Sequence, residues 1–322
     1  MARIISDGSK DFPIKVSDLA AALDVTAKQI ERWRQELDPR ATPPAHLTSE
    51  IARGVVLRAG RAYPQRPRVI AFLMCKGGVG KTTSAYFIAR RLASYGARVL
   101  VIDSDSQGNL TAAFDLERQG IEISEATPVL VDVLSGKSTL ADAIIEVTPH
   151  LHLIPSTPIN ANLDARIRDQ YKNPAAPIKR LIDELPADRY DFVLIDCAPA
   201  LNLTNTAIVA ASETIILPVA PDRFSKMGLD QTLREIGQIE GDFGLKVSKR
   251  VVFTKYDARE FTSVKYLAEI ADSHRPIMYR SLVRVAADVK NAVSRGEDLF
   301  SYSGSNARED YDALTQEILW QT

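Results

Sequence analysis

The sequence predicts an α/β fold with a doubly wound, mainly parallel sheet, preceded by a small all-α unit. From residue 69 onward, continuous apolar runs of strand length alternate with segments of helical length, which is typical of parallel sheets buried on both faces. Before residue 46 the chain instead shows two short helical patterns joined by a turn. The strands are predicted at 69–74, 98–103, 150–155, 191–196, 214–219 and 250–255, and the helices between them at 81–95, 175–185, 204–211, 226–241 and 263–273.

Composition is that of an ordinary water-soluble globular protein. The 322 residues are 45% hydrophobic and 25% charged, with a net charge of −1, so affinity for nucleic acid or membranes must come from a local patch. The first residues contain no apolar segment of the signal-peptide kind, and no apolar run reaches the roughly 18 residues of a membrane span. We therefore expect a cytoplasmic protein that does not bind membranes.

Proline and glycine content divides the chain. The stretch between residues 38 and 68 is rich in both and weakly periodic, apart from one possible helix at about 47–59. We therefore expect a small unit at 1–45, a linker with a possible helix at 46–67, and a main domain at 68–322.

The most informative segment follows the first buried strand. Residues 75–83 read CKGGVGKTT and open a predicted helix. Glycines at 77, 78 and 80 allow the backbone to curl and present N–H groups to phosphates at a helix N-terminus. Lys81 is then placed for the β- and γ-phosphates, and the Thr82 hydroxyl for Mg²⁺. The motif predicts a P-loop nucleotide site on a P-loop NTPase type of sheet.

Lys76 adds a second cation at the start of this loop. The standard P-loop pattern does not require a lysine there. An ammonium at that position is able to stabilise charge that develops during phosphoryl transfer, as an arginine finger does. The alternative is a solvated loop lysine.

Three aspartates follow two other predicted strands. Asp103 and Asp105 end the 98–103 strand, and Asp196 ends the 191–196 strand, so all three are expected at the carboxyl edge of the sheet. We expect Asp105 to orient or deprotonate the attacking water, Asp103 to hold a Mg²⁺-bound water, and Asp196 to support the metal beside Thr82. The alternative for Asp103 and Asp105 is capping of the next helix.

Together these segments resemble the ParA/MinD group of deviant Walker-A ATPases. The motif KGGVGKTT (76–83) matches the phosphate loop of that group at every defining position. The segment VLVIDSDSQGNLT (99–111) is similar to the ParA-type aspartate segment, with Ser106 in place of the usual proline. YDFVLIDCAP (190–199) and LPVAPDRFSKMGLDQ (217–231) resemble the Walker B strand and the segment that follows it.

This resemblance implies a partition ATPase that uses ATP and Mg²⁺ and hydrolyses ATP weakly unless a partner stimulates it. Two subunits would close over two ATP molecules, with Lys76 of each reaching the γ-phosphate of the other. The dimer would bind DNA without sequence preference, associate with the nucleoid, and respond to a ParB-like centromere-binding activator. The family pattern implies phosphate contacts from residues 76–83, including Gly77, Gly78, Val79, Gly80 and Thr83, and an adenine pocket involving Pro221, Asp222, Thr254 and Tyr256.

Residues 14–37 have the layout of a helix-turn-helix. Ser17 and Thr26 are expected to cap two helices separated by a turn, and the second would present Lys28, Arg32 and Arg34 to DNA. Residues 1–68 carry twelve Lys and Arg against eight Asp and Glu, an excess that modestly favours DNA binding. The pattern resembles the MerR-like or winged helix-turn-helix ahead of some plasmid ParA proteins. The alternative is a small helical dimerisation unit.

A second basic segment spans residues 274–295, where Asp288 is the only acidic residue. In ParA-like proteins the equivalent stretch carries non-specific DNA contacts. The resemblance thus implies DNA contacts from Arg280, Arg284, Lys290 and Arg295. A solvated basic face is the alternative.

Two other functions fit the same sequence. A ParA-like ATPase is able to position a protein cluster instead of DNA, although the appended helical unit argues mildly against it. A transcriptional autorepressor would bind its operator through the N-terminal unit, with nucleotide setting its affinity. An iron–sulfur reductase of the nitrogenase type is disfavoured, because Cys75 and Cys197 both lie inside the predicted nucleotide site.

Overall fold

The computed structural model describes residues 11–39, 45–200, 202–295 and 297–320. Its N-terminal part begins with a two-stranded antiparallel pair, β1 (Ile14–Lys15) and β2 (His46–Leu47). Between the strands lie α1 (Val16–Leu23) and α2 (Ala27–Leu37), and α3 (Ser49–Arg58) follows β2. The turn between α1 and α2 contains Asp24 in the left-handed conformation, at φ +55°.

Helix caps in this part agree only partly with prediction. The Thr26 hydroxyl accepts a hydrogen bond from the N–H of Gln29 and caps α2, as expected. The expected cap at Ser17 is wrong, because α1 already begins at Val16 and places Ser17 in its first turn.

The main domain is built on a sheet whose order confirms the predicted doubly wound topology. The strands are β3 (Arg68–Phe72), β4 (Val99–Asp103), β5 (Ile145–Thr148), β6 (Leu151–Ile154), β7 (Phe192–Asp196), β8 (Thr214–Val219) and β9 (Ser248–Phe253), in the order β5-β6-β4-β7-β3-β8-β9. All neighbouring pairs are parallel except β5 and β6. The six predicted strands correspond to β3, β4 and β6–β9. The sequence prediction missed β5, a four-residue edge strand that is partly exposed and has no continuous apolar run.

Helices cover both faces of this sheet. They are α4 (Lys81–Ser94), α5 (Asn109–Ala113), α6 (Leu130–Leu134), α7 (Leu140–Ala143), α8 (Leu163–Gln170), α9 (Ala176–Asp183), α10 (Leu203–Ala211), α11 (Ser225–Phe243), α12 (Phe261–His274), α13 (Ala287–Arg295) and α14 (Asn306–Trp320). Alternate residues of each buried strand face opposite layers: Ile70 and Phe72 of β3 join the cluster around α4 and α14, whereas Ala71 joins the cluster around α10 and α11. In the described part of the chain, no helix is both long and apolar enough to cross a membrane.

The segment 46–67, predicted as a linker, is packed against the main domain. Arg53 of α3 forms an ion pair with buried Asp191, at 2.6 Å, and donates a hydrogen bond to the Gly96 carbonyl. Gly96 has φ +85°, and a Cβ atom there would lie 2.4 Å from the backbone nitrogen of Arg53, so only glycine allows this approach. The prediction of the helix is confirmed at α3, but the segment belongs to the core.

A second contact joins α1 to the helix that follows the phosphate loop. Asp18 of α1 accepts hydrogen bonds from Arg91 of α4, at 3.2 Å, and from Arg308 of α14, at 2.6 Å. Arg91 is 1% exposed and also pairs with Asp312. Residues of the N-terminal elements share one hydrophobic cluster with α4 and α14, so the two parts have a continuous core.

Candidate nucleotide site

The predicted phosphate loop joins β3 to α4 at the carboxyl edge of the sheet. Gly78 and Gly80 have φ values of +74° and +93°, which only glycine adopts without strain. A Cβ atom added at Gly77 or Gly78 would meet nothing within 4 Å, so the loop is open on that side. The adjoining cavity has a volume of about 530 Å³ and is lined by Gly78, Gly80, Lys81, Thr82, Thr83, Tyr86, Asn109, Ala112, Ala113, Lys255 and Val293.

Lys81, Thr82 and Asp196 meet beneath this loop. Lys81 is the first residue of α4 and is only 7% exposed. The Thr82 hydroxyl donates a hydrogen bond of 2.6 Å to Oδ2 of Asp196, the last residue of β7. The other carboxylate oxygen of Asp196 is buried and has no hydrogen-bond partner. Burial, with a smaller contribution from the charge of Asp103, raises the pKa of Asp196 to about 8.

These residues fit a magnesium-bound nucleotide. A buried carboxylate oxygen without a partner carries a free-energy cost, which a cation or its bound water relieves. The hydroxyl of Thr82 and the carboxylate of Asp196 are hard oxygen donors of the kind that Mg²⁺ prefers. The sequence therefore placed Thr82 and Asp196 together correctly, because the ends of neighbouring parallel strands and helices share one edge of the sheet.

The raised pKa of Asp196 predicts a pH-dependent stability in the absence of metal. The folded protein holds a proton on this carboxyl up to about pH 8, whereas the unfolded chain releases it near pH 3.8. The contribution of this carboxyl to stability is therefore greatest below pH 4 and is lost as the pH rises from 4 to 8. Asp196→Asn removes this titration, so its melting temperature without Mg²⁺ should exceed that of the unmodified protein by several degrees at pH 8 and converge with it at pH 4. Differential scanning calorimetry in EDTA measures this, and an equal gap at both pH values contradicts it.

Asp103 has a different place from the one expected. Its Oδ2 accepts hydrogen bonds from the N–H and the hydroxyl of Thr111, at 2.8 and 2.7 Å, in the first turn of α5. Its Oδ1 accepts the N–H of Asp105 at 3.2 Å. Both oxygens are thus used within the protein, and burial raises the pKa of Asp103 to about 6. The capping alternative thus describes the observed contacts of Asp103, and its contact with a metal-bound water stays a prediction.

Asp105 lies in the loop between β4 and α5. Its Oδ1 accepts the N–H of Gln107 at 3.0 Å, and its carbonyl accepts the hydroxyl of Ser156 at 2.6 Å. These bonds hold the loop, and Asp105 remains half-exposed at the carboxyl edge of the sheet. The position is compatible with the predicted role toward water, which stays a prediction.

Lys76 forms an ion pair within the same chain. Its ammonium contacts the carboxylate of Asp222, in the loop between β8 and α11. Partial burial alone would raise the pKa of Asp222, but the hydrogen bonds from Lys76 and from the N–H of Phe224 keep it below its usual value. Asp222, predicted for the adenine pocket with neighbouring Pro221, thus pairs with Lys76 in the described structure.

Thr254, also predicted for the adenine pocket, contacts the phosphate loop instead. It is 2% exposed, and its hydroxyl donates a hydrogen bond of 2.8 Å to the carbonyl of Val79. The next residue, Lys255, has φ +54° and donates from its ammonium to the carbonyl of Gly78 at 2.7 Å. Tyr256 is half-buried, and its N–H is bonded to the carbonyl of Val283. Sequence analysis missed Lys255, because a single lysine after a strand has no motif of its own.

Thr254 and Lys255 orient two successive peptide groups of the phosphate loop. The C=O of one residue and the N–H of the next point in opposite directions across a trans peptide bond. Holding the carbonyls of Gly78 and Val79 therefore aims the N–H groups of Val79 and Gly80 away from the end of β9. Within the described ranges, these two N–H groups have no acceptor in the protein. They are the donors that a P-loop offers to phosphates.

Removing either tether should weaken nucleotide binding without loss of fold. We expect Thr254→Val and Lys255→Met each to raise the Kd for ADP roughly 3- to 10-fold, the equivalent of one hydrogen bond. Thr254→Ser keeps the hydroxyl and should restore affinity, and Lys172→Met, at an exposed lysine on another surface, should have no effect. Fluorescence titration with N-methylanthraniloyl-ADP measures the constants. Unchanged affinity in both tether variants would show that the loop keeps its shape alone.

Comparison with known proteins agrees with this geometry. A family model described as an AAA domain matches residues 67–249. The chromosome partitioning protein ParA of Caulobacter vibrioides NA1000 is 32% identical over 262 residues, which cover 78% of this chain and 94% of that protein. The chain belongs to the ParA family of P-loop ATPases. The Cyanothece McdA(D38A)–ATP complex has a similar fold, with a TM-score of 0.70, 22% identity, and 78% and 96% of the two chains covered. Cobyrinic acid a,c-diamide synthase of Mycobacterium smegmatis, with a bound ATP analogue and magnesium, is 26% identical, with a TM-score of 0.62 and 78% and 94% coverage.

Of the three DNA contacts predicted from the helix-turn-helix pattern, two lie on exposed side chains and one does not. Lys28 and Arg32 are exposed on α2, with Arg32 in a loose ion pair with Glu36 at 3.4 Å. Arg34 is 2% exposed and donates two hydrogen bonds to Glu31, at 2.9 and 2.6 Å. The prediction that Arg34 contacts DNA is corrected, because its guanidinium is buried and neutralised.

The basic residues of the second predicted DNA segment, 274–295, also differ in their exposure. Arg280, Lys290 and Arg295 are exposed. Arg284 instead forms a bidentate pair with Asp310 of α14, with Nη2–Oδ1 at 2.7 Å and Nε–Oδ2 at 2.9 Å, and its Nη2 lies 3.5 Å from Glu309. These carboxylates engage two of its three guanidinium nitrogens, and a DNA contact from Arg284 stays a prediction.

Proposed function

We propose that this protein is an ATP-hydrolysing DNA partition protein, which segregates a plasmid or a chromosome origin. The observation that carries the proposal is the combination of two lysines, Lys76 and Lys81, with an open glycine loop and the Thr82–Asp196 pair. The family relationship and the 32% identity to a chromosome partitioning protein support the cellular role.

Each residue has a distinct part in the proposed reaction. The N–H groups of Val79 and Gly80 and the ammonium of Lys81 bind the phosphates, and Thr82 and Asp196 would hold magnesium. Bound magnesium would neutralise charge on the phosphates. Asp105 orients the attacking water toward the γ-phosphate, and Lys76 stabilises the charge that develops there.

The Lys76–Asp222 pair suggests how nucleotide controls assembly. In the proposed sandwich dimer, Lys76 leaves Asp222 and reaches the γ-phosphate bound to the partner subunit. ATP supplies this γ-phosphate and ADP does not, so only ATP offsets the loss of the ion pair. The dimer is then a nucleotide-dependent state, which binds DNA on the nucleoid and is dissociated when a ParB-like activator stimulates hydrolysis.

Substitution of Lys76 tests whether this lysine is required for the ATP-dependent dimer. Lys76→Ala should bind ADP with nearly unchanged affinity, yet remain monomeric with ATP and Mg²⁺, because no cation spans the two sites. Asp222→Asn, which releases Lys76, should dimerise at least as readily as the unmodified protein. Light scattering after size-exclusion chromatography gives the mass. An ATP-dependent dimer of Lys76→Ala would reject the proposed contact across the subunits.

The exposed Lys28 and Arg32 on α2 favour a second, compatible function. A capped α2 after a short turn is compatible with a helix-turn-helix, and we propose that the N-terminal unit binds an operator. Footprinting the upstream region with the whole protein, alongside Lys28→Ala/Arg32→Ala, tests this. A discrete footprint that is lost in the double variant supports autorepression. If the protein shows no ATP-dependent affinity for any DNA, a role in positioning a protein cargo is favoured instead.

A further inference from the structure

A cavity of about 1180 Å³, larger than the nucleotide cavity, lies at the opposite end of the sheet. Its floor includes Arg68, Thr214 and Ser248, the first residues of β3, β8 and β9. Nucleotides of open α/β sheets bind beyond the carboxyl ends of the strands. This cavity, at the amino ends, is therefore separate from the ATP site.

Arginines dominate its polar lining, namely Arg66, Arg68, Arg250 and Arg280. The two acidic residues that line it are already bound. Glu213 pairs with Arg68 at 3.1 Å, and Glu317 accepts the N–H groups of Arg280 and Ser281. In the described part of the chain, the guanidinium groups of Arg66, Arg250 and Arg280 have no carboxylate within 4.0 Å. The lining thus carries four arginines against two glutamates, and three of the arginines pair with neither carboxylate.

Ordered elements hold these three arginines. Arg250 lies in β9, opposite Ile216 of β8. The backbone of Arg280 is fixed by Glu317 of α14. Arg66 lies in the segment that leads from α3 to β3, where the hydroxyl of nearby Tyr63 donates to the carbonyl of Tyr95 at 2.6 Å. These ordered segments bring the three arginines to one opening.

We propose that this cavity binds the phosphodiester backbone of DNA. The inference rests on the proposed function and names the surface through which it acts. Guanidinium groups bind phosphate oxygens in a bidentate manner, and phosphate contacts supply the sequence-independent part of DNA affinity. The three groups come from three separate segments around an opening far larger than one phosphate, which suits a chain of phosphates better than a single small anion. The cavity is lined both by the segment before β3 and by the ATPase domain. DNA bound there would therefore contact both parts of the protein.

Substitution of Arg66 and Arg250, the two arginines for which the sequence predicted no DNA contact, provides the test. The double variant Arg66→Gln/Arg250→Gln is compared with Arg180→Gln/Arg234→Gln, which removes the same charge from exposed positions on α9 and α11. Fluorescence anisotropy of a labelled duplex of unrelated sequence is measured with the full chain, ATP and Mg²⁺, over a range of salt concentrations. The cavity variant should bind at least about 10-fold more weakly, with a salt dependence less steep by roughly 2, while the control is unchanged. Affinity for ADP should be the same in both.

The outcomes separate the inference from the function on which it depends. If the cavity variant and the control bind DNA equally, the inference fails while the partition function stands. If the cavity variant loses only affinity for inorganic phosphate, measured by calorimetry, the site belongs to a small anion and the inference also fails. If the unmodified protein binds no DNA with ATP, both the proposed function and the inference are rejected.

Discussion

Lys81→Ala is expected to abolish measurable nucleotide binding. Lys81 is 7% exposed at the start of α4 and is the principal cation beneath the phosphate loop. Truncating one partner of a buried charge pair leaves the other charge uncompensated, here the β- and γ-phosphates. We expect the Kd for ATP and for ADP to rise roughly 100-fold or more, as measured by isothermal titration calorimetry with Mg²⁺.

The control for this variant is Lys172→Ala, which removes the same charge from an exposed position. Its affinity should equal that of the unmodified protein. Circular dichroism of Lys81→Ala should show an unchanged fold, since the lysine makes no ion pair within the described residues. ATP binding within a factor of three of the unmodified protein would show that the backbone N–H groups alone hold the phosphates.

Asp105→Ala is expected to bind ATP and form the dimer but to hydrolyse ATP about 100- to 10,000-fold more slowly, the range that a positioned general base contributes. The physical reason is that, among the described residues, the other two aspartates that end β4 and β7 are already engaged. Asp103 is used by Thr111, and Asp196 is buried with a pKa of about 8. A coupled phosphate-release assay under single-turnover conditions measures the rate.

Asp105→Asn separates the chemical role from a structural one. The asparagine oxygen still accepts the N–H of Gln107, which Asp105 bonds at 3.0 Å, but it carries no negative charge. An equal loss in both variants supports a role of the carboxylate in water activation. If Asp105→Asn retains near-normal turnover, the residue merely shapes the loop.

Much of the nucleotide site follows from local sequence. The positions of Lys81, Thr82 and Asp196 were predictable, because a glycine-rich turn after a buried strand and an aspartate at the end of another strand share one edge of a parallel sheet. The same reasoning gave capping of the next helix only as the alternative for Asp103, since the distance to Thr111 depends on how the intervening loop folds.

Other parts depend on contacts between residues far apart in the chain. Lys255 reaches Gly78 only because β9 ends beside the phosphate loop and the lysine adopts a left-handed φ. Arg284 forms an ion pair with Asp310 of α14, and the spacing of these residues in the sequence does not indicate that pair. Arg34 is different, because its partner Glu31 lies three residues earlier on the same helix and that spacing was readable. Charge is visible in a sequence, but the partner that neutralises it often is not.

The N-terminal unit shows the same limit for domain boundaries. Proline and glycine content indicated a linker at 46–67, yet α3 buries its apolar face and joins Arg53 to Asp191. Composition reports local stiffness and polarity, whereas the packing of α3 on α4 depends on Gly96, which leaves room for the backbone of Arg53.

The central claim is that a triphosphate and magnesium occupy the cavity beside Lys81, Thr82 and Asp196. Calorimetric titration of the full chain with ATP, in the presence of Mg²⁺ and again in EDTA, tests it most directly. We expect saturable binding of one ATP per chain with Mg²⁺ and markedly weaker binding in EDTA. No heat of binding with ATP and Mg²⁺, or equal affinity with and without the metal, would contradict the account.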